Sequence, residues 1–150
     1  MRYLADCIVT MFYIGRIPFA PGSWASLAAV ILWLNFFKNL NYLFLPIIAV
    51  TLFFIGTYFS HLVLRTTNTK DPSFIVIDEW VGQWITFSFL PVNYTIAILG
   101  FILFRFFDIS KVGPVKSCEK LPGAWGVMAD DAIAGILSMM TLLLIQYYIL

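Results

Sequence analysis

The stretch Phe74-Ile-Val-Ile-Asp78-Glu79-Trp-Val-Gly82-Gln-Trp-Ile-Thr-Phe-Ser-Phe-Leu90 decides the fold. It is apolar enough to enter a membrane, yet it carries two adjacent carboxylates and no cation. A charge at mid-bilayer costs ~2.5–3.5 kcal/mol on insertion scales. Read as a helix, Glu79, Gly82, Gln83 and Thr86 fall on one stripe at i, i+3, i+4 and i+7. That stripe is polar or small, and Trp80, Trp84 and Phe87 lie largely away from it. The expected helix therefore has an inward face with carboxylates and an apolar face for lipid or neighbours.

The composition around this stretch agrees. Of 150 residues, 61% are apolar and 11% charged, against roughly 25% charged in soluble domains. The chain reads as one integral-membrane domain over residues 1–150. The net charge of +1 gives no global field for nucleic acid. Five Trp and seven Tyr suit the two interfacial belts. Cys7 and Cys118 stand far apart and without metal-site spacing, so neither a disulfide framework nor a zinc site is implied.

Outward from the central stretch, four more apolar helices are expected: Ser23 to Phe37, Leu43 to Leu64, Tyr94 to Phe107, and Ala129 to Leu150. The first is short against the ~20 residues that cross a bilayer. Ser23 is placed as its N-cap, after the loop Arg16-Ile-Pro-Phe-Ala-Pro21-Gly22. Residues 1–15 read as an interfacial helix. The longest loop is expected over Asp108 to Met128. The fold class is thus an all-α membrane protein, a compact bundle of about five hydrophobic helices, some short or partly inserted, plus an N-terminal interfacial helix.

With five crossings the loops alternate sides. Arg2, Arg16, Arg65, Lys70, Arg105, Lys111, Lys116 and Lys120 collect on one side, and Lys38 stands on the other. The Lys/Arg excess marks the cytoplasmic side. The acids, Asp6, Asp71, Asp78, Glu79, Asp108, Glu119, Asp130 and Asp131, fall at or near the same side. Acids do not normally follow that bias, so their clustering carries its own meaning.

Asp78-Glu79, Asp108 and Asp130-Asp131 sit at the cytoplasmic ends of expected helices, with Arg105 and Lys111 interleaved. In the last helix Asp131, Gly135 and Ser138 form a stripe resembling that of Glu79. Small residues below the acids allow close helix approach, and packing through both stripes brings five carboxylates together. Five ionised carboxylates need counter-charge. An oxygen-only donor set suits a hard divalent cation such as magnesium. A magnesium site beside Lys and Arg is the usual means of holding a transferring phosphoryl group. Free N–H groups at Ala20-Pro21-Gly22-Ser23 and at Pro122-Gly123-Ala-Trp-Gly126 are further phosphate donors. Other phosphatase chemistries mostly fail: neither cysteine has an Arg six residues on, no nucleotide-binding Gly-x4-Gly-Lys loop exists, and His61 is the one histidine.

At these residues the sequence resembles a known family. Arg16-Ile-Pro18-Phe-Ala-Pro21-Gly22-Ser23, Ile77-Asp78-Glu79-Trp-Val-Gly82, Phe107-Asp108-Ile-Ser-Lys111 and Gly126-Val-Met128-Ala-Asp130-Asp131-Ala-Ile-Ala-Gly135 look like the motifs of phosphatidylglycerophosphatase A. The departures are Val112-Gly113 after Lys111, Pro122-Gly123-Ala124-Trp125 in place of a Gly-Gly turn, and Ala25 where a Gly is common. They touch loop shape more than chemistry. The resemblance implies a magnesium-dependent phosphatase of a bacterial cytoplasmic membrane, converting phosphatidylglycerophosphate to phosphatidylglycerol and phosphate at the cytoplasmic face.

The reading that results has Asp78, Glu79, Asp108, Asp130 and Asp131 as metal ligands and, with Lys111, as the catalytic group. Lys111, Arg16, Arg105 and Ser23 hold the substrate phosphate. An activated water or an Asp nucleophile attacks phosphorus. The rival class is an ion-coupled transporter or channel component, since intramembrane acids also line ion pathways. Against it, acids are absent from the outer half of the expected bundle.

Overall fold

In the computed structural model, residues 2–41, 43–67, 69 and 72–149 are described. Lys70, Asp71 and the Arg2 side chain, counted above on the basic side, lie outside the described residues. The described chain is helical, with no strand: α1 Arg2–Val9, α2 Pro21–Phe36, α3 Phe44–Leu64, α4 Ile77–Thr86, α5 Tyr94–Ser110, α6 Pro114–Cys118 and α7 Ala124–Tyr148, with a 3-10 turn at Ile14–Arg16.

The carboxylate helix α4 lies at the centre. Eight of its ten residues are buried, which no other helix matches in proportion. It packs on α7 most extensively, and on α3 and α2. Glycines set its distance from α7. A Cβ on Gly135 would stand 2.4 Å from the Gly82 carbonyl oxygen, and one on Gly82 would stand 2.6 Å from the Asp131 carbonyl oxygen. The two small-residue stripes therefore do meet, backbone against backbone. On its other flank Trp84 Nε1 donates to the Ala29 carbonyl of α2 at 3.1 Å. Beyond the end of α4, Phe87 stacks on Trp33 with ring centroids 4.0 Å apart.

Several boundaries differ from the expectation, among them the end of α5, at Ser110 and not Phe107. The stretch predicted as one helix over 74–90 is helical only over Ile77–Thr86, because its entry is drawn into backbone pairing. Val76 N–H donates to the Val9 carbonyl at 2.9 Å, and Gly15 is pressed against the Phe74 carbonyl, where a Cβ would come within 2.0 Å. Ten residues rise only ~15 Å, so α4 does not cross a bilayer by itself. The last helix begins at Ala124, five residues before the predicted start, and α6 forms inside the predicted loop. Ser23 is not the N-cap of α2. Ala20 takes that position in a left-handed conformation without a side-chain bond, and Pro21 opens the helix, as its fixed φ favours. The N-terminal segment is helical only to Val9, and Met11, Phe12 and Tyr13 then all take positive φ.

Successive apolar helices alternate in direction. The start of α2, the end of α3, the start of α4, the end of α5 and the start of α7 gather at one end of the bundle, through contacts described below. Among the described residues, α3 and α7, with 21 and 25 residues, are the two helices long and apolar enough to cross a membrane by length and composition. Their outward faces are large and apolar: Phe44, Ile47, Phe54 and Tyr58 on α3, Met140 and Leu144 on α7.

Candidate metal and phosphate site

The acids of α4 sit in its first turn, where the helix dipole favours negative charge. Asp78 Oδ1 accepts the Glu79 N–H at 3.0 Å. Asp131, in the third turn of α7, reaches them because Gly82 and Gly135 let the two helices close. One carboxylate oxygen from each of Asp78, Glu79 and Asp131 lies within 4.8 Å of the others. Asp78 and Asp131 are buried.

α2 forms a wall of this group. A Cβ on Gly22 would lie 2.0 Å from Glu79 Oε1 and 3.4 Å from Arg105 Nη1. Only glycine leaves that carboxylate room. Ser26, one turn on, donates to the Gly22 carbonyl at 2.9 Å and lies 3.5 Å from Arg105 Nη1.

Beside the three carboxylates stands a band of ion pairs. Arg105 Nη1 is 2.8 Å from Asp108 Oδ2, and Lys111 Nζ is 3.9 Å from Asp108 Oδ1. Lys111 also donates to Asp130 Oδ2, whose Oδ1 accepts the Asp131 N–H at 3.0 Å. Lys111 follows α5 in a left-handed conformation, φ 49°. That geometry costs an ordinary residue roughly 1–2 kcal/mol, and here it accompanies the turn of the chain toward α7. Burial pulls the Lys111 ammonium down. The hydrogen bond to Asp130 and the charges of Asp130, Asp131 and Asp108 override it, and hold the group above the usual lysine range.

The five predicted carboxylates are thus neighbours of two kinds. Asp78, Glu79 and Asp131 form the compact oxygen group. Asp108 and Asp130 adjoin it but are engaged by Arg105 and Lys111. Arg16 is not brought into this constellation: it pairs with Asp6 and lies over the Phe74 ring, 4.9 Å from its centroid. Ser23 is half-buried in the first turn of α2. The hydroxyl that approaches Arg105 is Ser26, which the sequence reading missed. Its signal was its place one turn from Gly22 on the same face of α2.

The residues fit a metal ion. Three carboxylates converge on one point, their donor set is all oxygen, and Glu79 Oε2 is buried without a hydrogen-bond partner among the described residues. Buried carboxylate oxygens are otherwise satisfied, and a divalent cation is the partner that suits this set.

An all-helical protein with a buried carboxylate group able to hold a metal, flanked by Lys and Arg, is the class that fold and site define. Within that class, a family model for phosphatidylglycerophosphatase A matches residues 7–146. The chain belongs to the phosphatidylglycerophosphatase A family, a family of phosphatases. It is 35% identical to phosphatidylglycerophosphatase A of Haemophilus influenzae over 138 residues, covering 91% of this chain and 85% of that one. It is 33% identical to phosphatidylglycerophosphatase A of Escherichia coli over 128 residues, 83% and 73% of the two chains. A third relative, from Bacteroides thetaiotaomicron, bears the name "Putative phosphatidylinositol-3-phosphatase" and is 35% identical over 153 residues, 98% and 96% of the two chains. No solved structure matches the chain.

Proposed function

We propose that this protein, a single catalytic domain over residues 1–150, hydrolyses the terminal phosphomonoester of phosphatidylglycerophosphate, releasing phosphatidylglycerol and phosphate. The observation that carries the reading is the three-carboxylate group with its unpartnered Glu79 oxygen, set directly beside the Lys111 and Arg105 ion pairs. A carboxylate group alone suits a cation. A carboxylate group edged by an ammonium and a guanidinium suits a cation together with a phosphate.

The metal is magnesium, held by Asp78, Glu79 and Asp131. When bound it supplies positive charge against the phosphoryl oxygens and lowers the pKa of bound water. The protein's own groups do the rest. Lys111 and Arg105 face the phosphate oxygens. Asp108 and Asp130 hold these two cations in place and return them when phosphate leaves. Gly22, having no side chain, lets α2 close against the Glu79 carboxylate without displacing it, and the first-turn N–H groups of α2 at Gly22 and Ser23 donate to the phosphate. A carboxylate of the group accepts a proton from the attacking water. The bond from phosphorus to the glycerol oxygen breaks, and that oxygen takes a proton.

The protein sits in the bacterial cytoplasmic membrane with the site toward the cytoplasm. The exposed apolar faces of α3, α5 and α7 support the membrane placement, since soluble monomers rarely expose large contiguous apolar patches, and the Lys/Arg excess on the side of the acids supports the orientation. The gathering of the acids at one end of the bundle argues against the transporter reading, in which carboxylates continue across the membrane. The name of the Bacteroides relative supports a second reading of the same chemistry, on a phosphorylated inositol head group. The test is phosphate release by the purified protein from micelles of phosphatidylglycerophosphate or phosphatidylinositol 3-phosphate, with magnesium and with EDTA. Release from the first lipid only, and only with magnesium, is expected. Release that survives EDTA removes the metal from the reading.

A further inference from the structure

A cavity of about 690 Å³ opens beside the site and takes no part in the chemistry above. It lies between the end of α3, the 119–123 loop and the start of α7. Its polar lining is Thr67, Thr69, Glu119, Lys120 and, at one wall, Asp130. Asp130 is the link. One of its oxygens accepts from Lys111, and the next residue, Asp131, belongs to the three-carboxylate group. A ligand that fills the cavity and ends at the Asp130 wall therefore ends where the phosphomonoester is to be held.

The volume is that of a small-molecule site, ~300–1,000 Å³, and exceeds what one phosphate needs. Its chemistry is mixed. Lys120 offers a cation, Glu119 an acceptor, Thr69 a hydroxyl that donates and accepts, and Thr67, whose hydroxyl donates to the Leu64 carbonyl at 3.3 Å, an acceptor. A pocket for a bare anion has no use for Glu119. A polyol joined to a phosphodiester uses all of them: the diester meets Lys120, and the polyol hydroxyls meet Glu119 and the threonines. We infer that this cavity seats the polyol and phosphodiester of the lipid head group, with Lys120 as the residue that selects lipids carrying that diester. The inference rests on the lipid-phosphatase reading and names the part of the substrate the carboxylate group does not touch. It also changes the role of Lys120, which the position of a basic residue in a loop suggests is a lipid-surface anchor.

The test separates binding from turnover. The full-length protein in detergent with EDTA is titrated with micelles containing phosphatidylglycerol, which has the diester and polyol but no terminal phosphate. Oleate, anionic but without phosphate or polyol, is the comparison. Preference for phosphatidylglycerol is expected, and Lys120→Ala should weaken it about tenfold, the size of one charge-assisted contact, while leaving oleate unchanged. Lys120→Arg should restore most of it, and Lys116→Ala, on α6 away from the cavity, should do nothing. In turnover with magnesium, Lys120→Ala should raise KM for phosphatidylglycerophosphate with kcat held. Equal weakening of both lipids, or of neither, overturns the cavity assignment. Preserved binding preference in a protein that releases no phosphate overturns the proposed reaction and leaves the cavity standing.

Discussion

Gly22 and Glu79 touch so closely that a Cβ at position 22 would lie 2.0 Å from Glu79 Oε1. The first turn of α2 thus reads the position of a carboxylate on α4. The clashing atom is the end of a flexible side chain, so Gly22→Ala should leave the fold intact and push the carboxylate aside. Misplacement of a reacting group by ~1 Å costs on the order of 100-fold in rate. We expect Gly22→Ala to lower kcat by that order with an unchanged melting temperature. Wild-type kcat in a well-folded variant would detach Glu79 from the chemistry.

The three clustered acids should behave as one unit. In the proposed reading Asp78→Asn, Glu79→Gln and Asp131→Asn each remove a negative donor from the same cation, and none should be rescued by added magnesium. Each is expected to retain less than about a tenth of wild-type activity, which corresponds to ~1.4 kcal/mol in barrier. Magnesium binding followed by calorimetry should be lost in parallel. Any of the three that keeps both activity and metal affinity lies outside the metal's ligand set.

Lys111 pairs with Asp130 and Asp108 in the structure and, in the proposed reaction, with the phosphate. Its substitution by Ala should slow turnover roughly 30- to 1000-fold, as for loss of a ~2–4 kcal/mol charge-assisted contact in the transition state. The double variant Lys111→Ala with Asp130→Asn discriminates the causes. If Lys111 only neutralises the buried Asp130, the double variant recovers; if Lys111 holds phosphate, it stays slow. Lys116, exposed on α6, should tolerate Ala within a few-fold.

The raised Lys111 group also fixes a sign in the pH dependence. A lysine held above its unfolded value contributes stability in full below about pH 10.4 and loses it as pH rises through the folded value. Activity and melting temperature between pH 6 and 9 should therefore show no titration assignable to Lys111. A step in that range that disappears in Lys111→Arg would contradict this.

Gly135 differs from Gly22 in what surrounds it. Its Cβ would meet the backbone of Gly82, with the carbonyl oxygen at 2.4 Å and Cα at 3.1 Å. Backbone does not swing aside, so α4 and α7 must part. Gly135→Ala should destabilise the protein by about 1–3 kcal/mol, the usual range for overpacking, and lower activity through the separation of Asp131 from Asp78 and Glu79. Thermal unfolding in detergent checks the first effect. An unchanged melting temperature would mean that the helices do not meet at these glycines.

The sequence by itself determined the helical class, the small-residue stripes of Glu79 and Asp131, and the grouping of the acids at one end. These follow from local properties: apolar run length, i, i+3, i+4 spacing, and the alternation of helix direction. It also gave the family motifs, since each is a short contiguous run. Tertiary structure decided how the five carboxylates divide. Which acid meets a cation depends on where the left-handed turn at Lys111 sends its side chain and on Arg105 reaching across to α2. Neither is encoded in spacing along the chain. The same holds for the shortened α4, whose entry is held by Val9 and Gly15, which stand 67 and 59 residues before the backbone groups they meet at Val76 and Phe74. Ser26 and the cavity at Lys120 came to light in the same way. A cavity is made by surfaces from separate elements, and only their packing brings Thr67, Lys120 and Asp130 around one space.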